Sequence, residues 1–521
     1  MSDDVLVALD RALPLSRGKR LRRHKPSDNR ALSITGHETS AATSELTPGT
    51  SNTALALAHL DSSLETSDLT LETSKALSLR DRWPWIELFL AVQFLWGGLL
   101  FIPGSQAYRA VIRALPYASS LGLLAMYMTA HSKARYPWGT RFVLAVLGLL
   151  ALNLLHPTSQ PLAGIAQCIF QLSIVAPIFW APKAVRSPAR LQRILVLTLL
   201  MNAASAGLGL LQVYYPDQFM PPQFSTLGLQ QNDAYVDSQT YQGRDGRIIV
   251  RPPGLTDMPG GAAVAGGFTA VLGLALSLRS RKASNLLLTL ALAAVGLAVI
   301  YLTEVRSVLL NVVGGAAALA AVAIRQRRIG AAAWIAGTGV ALVVAAFLWA
   351  SSIGGDAIEQ RFMSIREQGA LQTYQENRGH FLAYTVGELL DQFPFGAGVG
   401  RWGMMNAYFG DPTDPRSPPI YVEIQLTGWL LDGGALMWVL YGGAILLAGL
   451  GVLGLTGSLD PRVSIAAFAV LAVQVLILGM GMAGPVFNTQ LGMMFWVLVG
   501  SLHGAVSLKP AAEGVSETSS S

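Results

Sequence analysis

Long apolar runs recur along most of this chain and are separated by shorter polar stretches. Each run has roughly 17 to 24 residues, which is enough for a helix to cross about 30 Å of hydrocarbon. The runs lie near 85–103, 113–130, 141–156, 162–181, 192–213, 260–278, 285–303, 307–324, 331–351, 426–455, 463–484 and 486–506. This pattern predicts an all-α fold, that of a polytopic integral membrane protein with about twelve transmembrane helices.

Lysine and arginine residues concentrate in alternate connections between these runs. They are Lys133, Arg135, Arg141, Lys183, Arg186, Arg190, Arg193, Arg279, Arg281, Lys282, Arg325, Arg327 and Arg328. Because positive charge is normally retained on the cytoplasmic side of a membrane, these connections are predicted to be cytoplasmic. The intervening segments, including the long loops 214–259 and 352–425, are then external, and an even number of spans places both termini in the cytoplasm.

The composition agrees with a membrane location. Of 521 residues, 52% are hydrophobic and 13% are charged, which excludes a water-soluble globular protein. The segment 83–508 is predicted to be the transmembrane domain, and the polar segments 1–82 and 509–521 are predicted to be disordered cytoplasmic tails. The net charge of +6 comes mostly from the cytoplasmic loops, so it does not indicate a nucleic-acid partner. The single cysteine, Cys168, cannot form an intramolecular disulfide, and no His/Asp/Glu cluster has metal-ligand spacing, so neither a metal nor another cofactor is predicted.

The external segment 352–425 carries the pattern of two amphipathic helices. Apolar residues recur at helical spacing in 358–365 and again in 381–390. The second helix is predicted to end at Pro394, before a turn with glycines at positions 396, 398 and 400. The amides of such a turn can bind phosphate, and a purely structural turn is an equally good interpretation.

Three arginines are predicted to lie at external ends of spans, namely Arg251, Arg306 and Arg378. Positive charge at this face goes against the usual distribution and therefore needs a specific reason, which an anionic lipid-linked substrate supplies. The alternative for any single arginine is that its side chain reaches up to lipid phosphate. By contrast, Arg361 is assigned to the solvated face of an amphipathic helix.

Several segments, in this order, resemble motifs of the O-antigen ligase and polymerase superfamily of bacterial envelope glycosyltransferases. The similar segments are Gly209-Leu-Leu-Gln212-Val-Tyr-Tyr-Pro216, Arg251-Pro-Pro-Gly254 followed by Pro259-Gly-Gly-Ala, Thr303-Glu-Val-Arg306-Ser307, Arg378 with the downstream Pro394-Phe-Gly-Ala-Gly-Val-Gly400, and Tyr421-Val-Glu423 with Leu430-Leu-Asp432-Gly-Gly434. The resemblance covers roughly residues 85–505, and it depends on the order of the segments and their common predicted exposure on the outer face.

The resemblance implies a fold of the GT-C type and the transfer of a glycan from an undecaprenyl diphosphate carrier to an acceptor hydroxyl, without a metal. A glycosyl diphosphate leaves as an anion, and guanidinium groups stabilise phosphate oxygens well. The residues expected to hold the diphosphate are Arg251, Arg306, Arg378 and Arg401, and Asp257 is expected to orient Arg251.

The acceptor hydroxyl has to lose a proton as it attacks, so a general base is expected. Ligases of this family place a histidine near the start of the tenth helix, where this chain has Glu423 instead, and this difference weakens the ligase interpretation. Partial burial at the membrane edge would make such a carboxylate more basic. His380 is the second candidate, since histidine titrates near neutral pH.

The favoured function is polymerisation of exopolysaccharide or O-antigen repeat units at the outer face of the bacterial inner membrane. The expected partners are the lipid-linked donor, a glycan acceptor, the lipid bilayer, and a chain-length regulator and flippase. One alternative is a ligase that transfers the glycan to a lipid or protein. A second alternative, from another class, is a polysaccharide transporter or flippase, which would also have about twelve spans but would carry charges near mid-bilayer.

Overall fold

The computed structural model describes residues 84–129, 134–221, 239–280 and 282–506. The predicted tails 1–82 and 509–521 lie outside these ranges. In chain order the helices are α1 (Trp85–Leu99), α2 (Arg109–Met128), α3 (Thr140–Asn153), α4 (Pro161–Val175), α5 (Pro177–Ala184), α6 (Pro188–Tyr214), α7 (Pro216–Phe219), α8 (Ala262–Ser277), α9 (Ala283–Leu302), α10 (Arg306–Arg325), α11 (Ile329–Gln368), α12 (Ala370–Tyr374), α13 (His380–Tyr384), α14 (Leu390–Gln392), α15 (Gly403–Phe409), α16 (Gln425–Thr456), α17 (Pro461–Gly481) and α18 (Gln490–Val506). Strands β1 (Thr240–Gln242) and β2 (Ile248–Val250) form an antiparallel hairpin, and short 3₁₀ helices cover Ser105–Tyr108 and Val486–Asn488.

Eight helical segments in the described residues are long and apolar enough to cross a membrane. They are Arg109–Met128, Pro161–Ala184, Pro188–Tyr214, Ala283–Leu302, Arg306–Arg325, Ile329–Ser364, Gln425–Thr456 and Pro461–Gly481. The helices α1, α3, α8 and α18 are also apolar but shorter. This is the architecture of an all-α polytopic membrane protein.

Helix α8 lies at the centre of the bundle, and of its residues only Val264 is not buried. It packs against α9, α6 and α17. Gly266 of α8 and Gly296 of α9 face each other so closely that a Cβ on either one would meet the carbonyl oxygen of the other. Small residues at such a crossing let the two backbones approach, which is a common basis of helix packing in membranes.

The connections between helices separate into two groups at opposite ends of the bundle. The loops with many basic residues contact one another, as when Gln326 Nε2 donates to Thr456 Oγ1 at 2.7 Å. The remaining connections also contact one another, as when Gln160 Nε2 donates to the carbonyl of Ser417 at 2.8 Å and Arg244 N donates to Ile353 O at 3.0 Å. The second end, which the charge pattern predicts to be outside, is called the predicted outer end below.

Two long helices are broken near the predicted outer end. Helix α11 turns at Gly355, whose φ is +56°, and then continues as far as Gln368. Helix α16 is interrupted at Gly433 and Gly434, of which the second has a φ of +66°. Glycine adopts this left-handed conformation without the steric cost that other residues have.

Both stretches predicted as amphipathic helices are helical in the structure. The first is the part of α11 beyond Gly355, which buries Ile358 and Phe362. The second runs over 370–392 as α12, α13 and α14, joined by π turns at Gln375–Gly379 and Thr385–Leu389. Such π turns are frequent at functional sites.

Candidate active site

Arg251 lies directly after β2, at the predicted outer end. The hairpin fixes its backbone, because Arg251 N donates to Gln239 O at 2.9 Å and Arg251 O accepts from Gly260 N at 3.1 Å. The guanidinium is largely buried, with Nη2 2.8 Å from Glu304 Oε2, while its buried Nε has no hydrogen-bond partner among the described residues. The arginine is therefore held by one carboxylate and keeps hydrogen-bonding capacity.

A buried glutamine holds the loop that follows Arg251. The side-chain amide of Gln212, in α6, accepts from Gly254 N at 2.8 Å and donates to Gly254 O at 3.0 Å. Gly254 has a φ of +63°, and a Cβ there would collide with Ser205. The loop is thus bound to α6 through the backbone N–H and the backbone carbonyl of Gly254.

Glu304 and Arg306 belong to the short turn between α9 and α10. Glu304 is buried and has a φ of +54°, an unusual conformation for a residue other than glycine. Such strain concentrates at functional sites, where the surrounding structure holds it in place. Arg306 is the first residue of α10, and a cation at a helix N-terminus is disfavoured by the helix dipole unless an anion is bound there.

Arg361 brings a third guanidinium to the same place. Its charge interacts with those of Arg306, Arg251 and Glu304, so the four residues form one group, called the Arg251 cluster below. Arg306 Nη1 donates to Ser364 Oγ at 2.7 Å, and Ser364 Oγ in turn donates to Arg361 O at 2.8 Å, which ties α10 to the outer part of α11. Arg361 is exposed, as expected for a solvated face, and its charge also acts on the two other arginines.

The Arg251 cluster has more positive than negative charge. Three guanidinium groups are offset by two carboxylates. Glu304 interacts with all three arginines, and Glu376 of the first π turn interacts with Arg306. Like charges held together in this way repel each other, and a bound anion relieves the repulsion. Phosphate suits this arrangement because guanidinium groups donate to its oxygens in pairs.

Arg378 and Glu423 form an ion pair. Arg378 lies in the first π turn, and Glu423 in the extended segment that leads into α16, where the hydroxyl of Tyr421 also donates to it. Glu376 is two residues from Arg378 and interacts with Arg306, so this pair lies beside the Arg251 cluster. The candidate base is therefore held by one guanidinium and one phenol hydroxyl.

His380 is exposed, and its ring packs on that of Phe381 with 4.0 Å between centroids. Phe381 in turn lies 6.2 Å from the ring of Tyr421, the residue that donates to Glu423. The rings of Phe381 and Tyr421 therefore lie between His380 and the carboxylate.

Arg401 is buried, and its donors are used within its own loop. Nη1 donates to Ala397 O at 3.0 Å, and Nε and Nη2 donate to Pro418 O at 3.2 and 2.9 Å. Burial lowers the pKa of this guanidinium, an effect partly offset by the charge of Asp414. These bonds hold the glycine turn against the 411–420 loop, and diphosphate binding by Arg401 stays a prediction.

The glycine turn is structural as well. Ala397 N donates to Leu431 O at 2.8 Å, and Val399 N donates to Ser159 Oγ at 2.9 Å. Gly398 and Gly400 have positive φ and lie so close to the backbone around 158–164 that a Cβ on either would clash. Of the two interpretations of the Gly-x-Gly pattern, these contacts favour a packed turn over a phosphate cradle.

Asp432 connects this turn to the break in α16. Its Oδ1 accepts from Trp402 Nε1 at 2.8 Å, and its backbone oxygen accepts from Asn153 Nδ2 at 2.7 Å. The carboxyl group is almost fully buried. Buried ionisable groups in membrane helices are uncommon and are usually functional or firmly bonded, as this one is.

Asp257 has different partners from those expected. It accepts hydrogen bonds from Arg109 and Arg113 at the start of α2, with Nε to Oδ2 distances of 3.1 and 2.8 Å, and it is buried. The residue that contacts Arg251 is Glu304 rather than Asp257. Sequence reasoning missed Arg109 and Arg113, although two arginines in a connection predicted to be external are a signal against the usual charge distribution.

Comparisons with known proteins do not assign this chain to a family. No family model matches the chain, and a search of curated proteins finds no match.

Proposed function

We propose that this protein is an integral-membrane glycosyltransferase that acts on lipid-linked oligosaccharide at the outer face of a bacterial inner membrane. The reaction is polymerisation of exopolysaccharide or O-antigen repeat units. The observation that carries the proposal is the Arg251 cluster, in which arginines from three elements meet with a surplus of positive charge. In this proposal α1, α3, α8 and α18 also cross the membrane, giving twelve spans with both termini in the cytoplasm.

The contacts among the motif segments support the resemblance on which the proposal draws. Gln212 of the first motif binds Gly254 of the second, and Arg251 of the second binds Glu304 of the third. Arg378 pairs with Glu423, and the glycine turn contacts the Asp432–Gly434 break in α16. Segments that are far apart in the sequence and resemble one family thus contact each other in pairs, as parts of one site would.

In the proposed reaction the acceptor hydroxyl attacks the anomeric carbon of the lipid-linked donor. A new glycosidic C–O bond forms while the C–O bond to the diphosphate breaks, and the bonding electrons leave with the diphosphate. Arg251, Arg306 and Arg361 stabilise the charge that develops on its oxygens. Glu423, which is positioned by Arg378, accepts the proton of the hydroxyl.

One observation favours a transporter as the second candidate. Asp432 is a buried carboxyl next to a glycine break in a membrane helix, and transporters commonly combine these two features. However, this carboxyl accepts from Trp402 of an external loop and lies only about two turns from the start of α16, where it secures that loop. Its contacts therefore favour the enzyme.

The test uses a native polysaccharide producer in which the chromosomal copy is replaced by variants. Arg251→Gln and Arg306→Gln are expected to abolish long-chain product and to accumulate lipid-linked single repeats, while Arg247→Gln, at the exposed hairpin, is the matched control. Wild-type chain length in variants that are inserted at normal levels would refute the proposal. Uptake of lipid-linked oligosaccharide across vesicles without any acceptor would instead favour the transporter.

A further inference from the structure

A second group of arginines lies at the predicted outer end, apart from the Arg251 cluster in sequence. Arg109 and Arg113 occupy the first turns of α2, and both donate to Asp257. Arg113 Nη1 also lies 3.4 Å from the hydroxyl of Tyr408. Two guanidinium groups share one carboxylate here, and the side chain of Arg109 remains 43% exposed.

The position of these arginines is unfavourable in the absence of an anion. They lie at the N-terminal end of a membrane helix, where the helix dipole favours negative charge. They also lie at the face of the membrane from which arginine is normally excluded. Asp257 offsets only one of the two positive charges, so the group retains affinity for an anion.

A cavity of about 100 Å³ lies near Asp257, the shared partner of the two arginines, although neither arginine lines it. Thr256 lines it and directly precedes Asp257, and Gln93, which also lines it, donates to the carbonyl of Pro116, one turn after Arg113. Its other walls are mostly apolar side chains of α1, α8 and α18, with the polar Asn202, Ser205 and Gln490 among them. A cationic group close to a largely apolar cavity matches a lipid whose phosphate binds the arginines and whose first carbons enter the cavity.

We infer that Arg109 and Arg113 form a second lipid-diphosphate site, which holds the acceptor glycan on its own lipid carrier. This inference rests on the proposed function and makes it more specific. A polymerase whose two substrates are both lipid-linked has to bind two diphosphates at once, and the described residues place two arginine groups with different carboxylate partners at one end of the bundle. The Arg251 cluster binds the donor, whose diphosphate leaves, and the Arg109 group binds the diphosphate that stays attached.

The experiment counts lipid diphosphates bound to the full-length protein. Farnesyl diphosphate is titrated into protein in nanodiscs of uncharged lipid, and the stoichiometry is read by native mass spectrometry. Wild type is expected to bind two molecules, and Arg251→Gln and Arg109→Gln are each expected to bind one, with the affected site weakened about tenfold or more. Arg416→Gln, an exposed arginine of the external loop, is the matched control and is expected to bind two.

Arg109→Gln leaves the bond between Arg113 and Asp257 in place, and Arg113→Lys provides a second variant that keeps the charge but loses the paired donors. A single site in wild type that Arg251→Gln removes and Arg109→Gln leaves intact would overturn this inference without affecting the proposed function. No binding by wild type would overturn both. Equal competition by phosphatidylglycerol at the Arg109 site would show an ordinary phospholipid site and would overturn the acceptor assignment.

Discussion

Replacing Arg306 with glutamine removes one of the three guanidinium groups of the Arg251 cluster and also breaks its 2.7 Å bond to Ser364. The two losses have different consequences, because one concerns charge at the diphosphate and the other the attachment of α10 to α11. Ser364→Ala separates them, since it removes the same hydrogen bond and keeps the guanidinium. The two variants therefore form a matched pair.

The expected magnitudes differ widely. Loss of one donor to developing negative charge raises a reaction barrier by about 3 kcal/mol, which corresponds to a reduction in kcat on the order of 100-fold for Arg306→Gln. Loss of one partly exposed hydrogen bond costs about 1 kcal/mol, so even if all of it were felt in the transition state, Ser364→Ala should change kcat by no more than about fivefold.

The assay is glycan transfer by purified protein in proteoliposomes, with initial rates measured over a range of lipid-linked donor. A fall in kcat without a matching rise in KM would indicate that Arg306 acts on the transition state. If Ser364→Ala lost as much turnover as Arg306→Gln, the arginine would act by holding the helix, and the reasoning that gives it a catalytic role would fail.

Three further predictions concern other parts of the site. Glu423→Gln should reduce turnover about 100-fold or more with donor binding retained, measured by the same assay and by donor titration, and unchanged turnover would remove Glu423 as the base. Trp402→Phe should lower the free energy of unfolding by about 1–3 kcal/mol, because buried Asp432 loses its hydrogen-bond donor. In a denaturant titration this loss should be smaller in a protein that also carries Asp432→Asn, and fully additive effects of the two substitutions would contradict the contact. Hydrogen bonds from Ser417 and the neighbouring backbone hold the pKa of Asp414 below its usual range. This group therefore stabilises its turn above the usual aspartate range and loses that effect only as the pH falls through the lowered value, so hydrogen exchange in the 411–417 turn should stay slow under mildly acidic conditions; faster exchange there would count against these bonds.

The sequence predicts the helical membrane architecture because an apolar run has one dominant solution in a bilayer. It also predicts that Arg251 and Arg306 lie in connections at one end of the bundle, because charge distribution fixes the side of each loop. The partner of Arg251 could not be predicted in this way. Asp257 is six residues away and Glu304 is fifty-three away, and only the packing of α8 against α9 brings the second one into contact.

The role of Arg401 and the place of Arg361 depend on local backbone geometry that periodicity does not reveal. Arg401 follows three glycines with positive φ, and the resulting turn points its guanidinium at carbonyl groups. Arg361 follows Gly355, and the helical pattern on either side of this glycine does not show that the axis changes direction. Glycine within an apolar run was the available signal in both cases, but it does not specify the direction of the turn.

The attachment of the glycine turn has a consequence for how a long substrate could enter. Backbone hydrogen bonds fix this turn to α16, which anchors the C-terminal end of the 370–392 segment. The segment carries Glu376 and Arg378, whose charges act on Arg306 and Glu423. In the proposed reaction, a long glycan that displaced the rest of the segment would move both charges together, so that its entry and the electrostatic change at the diphosphate would be a single event.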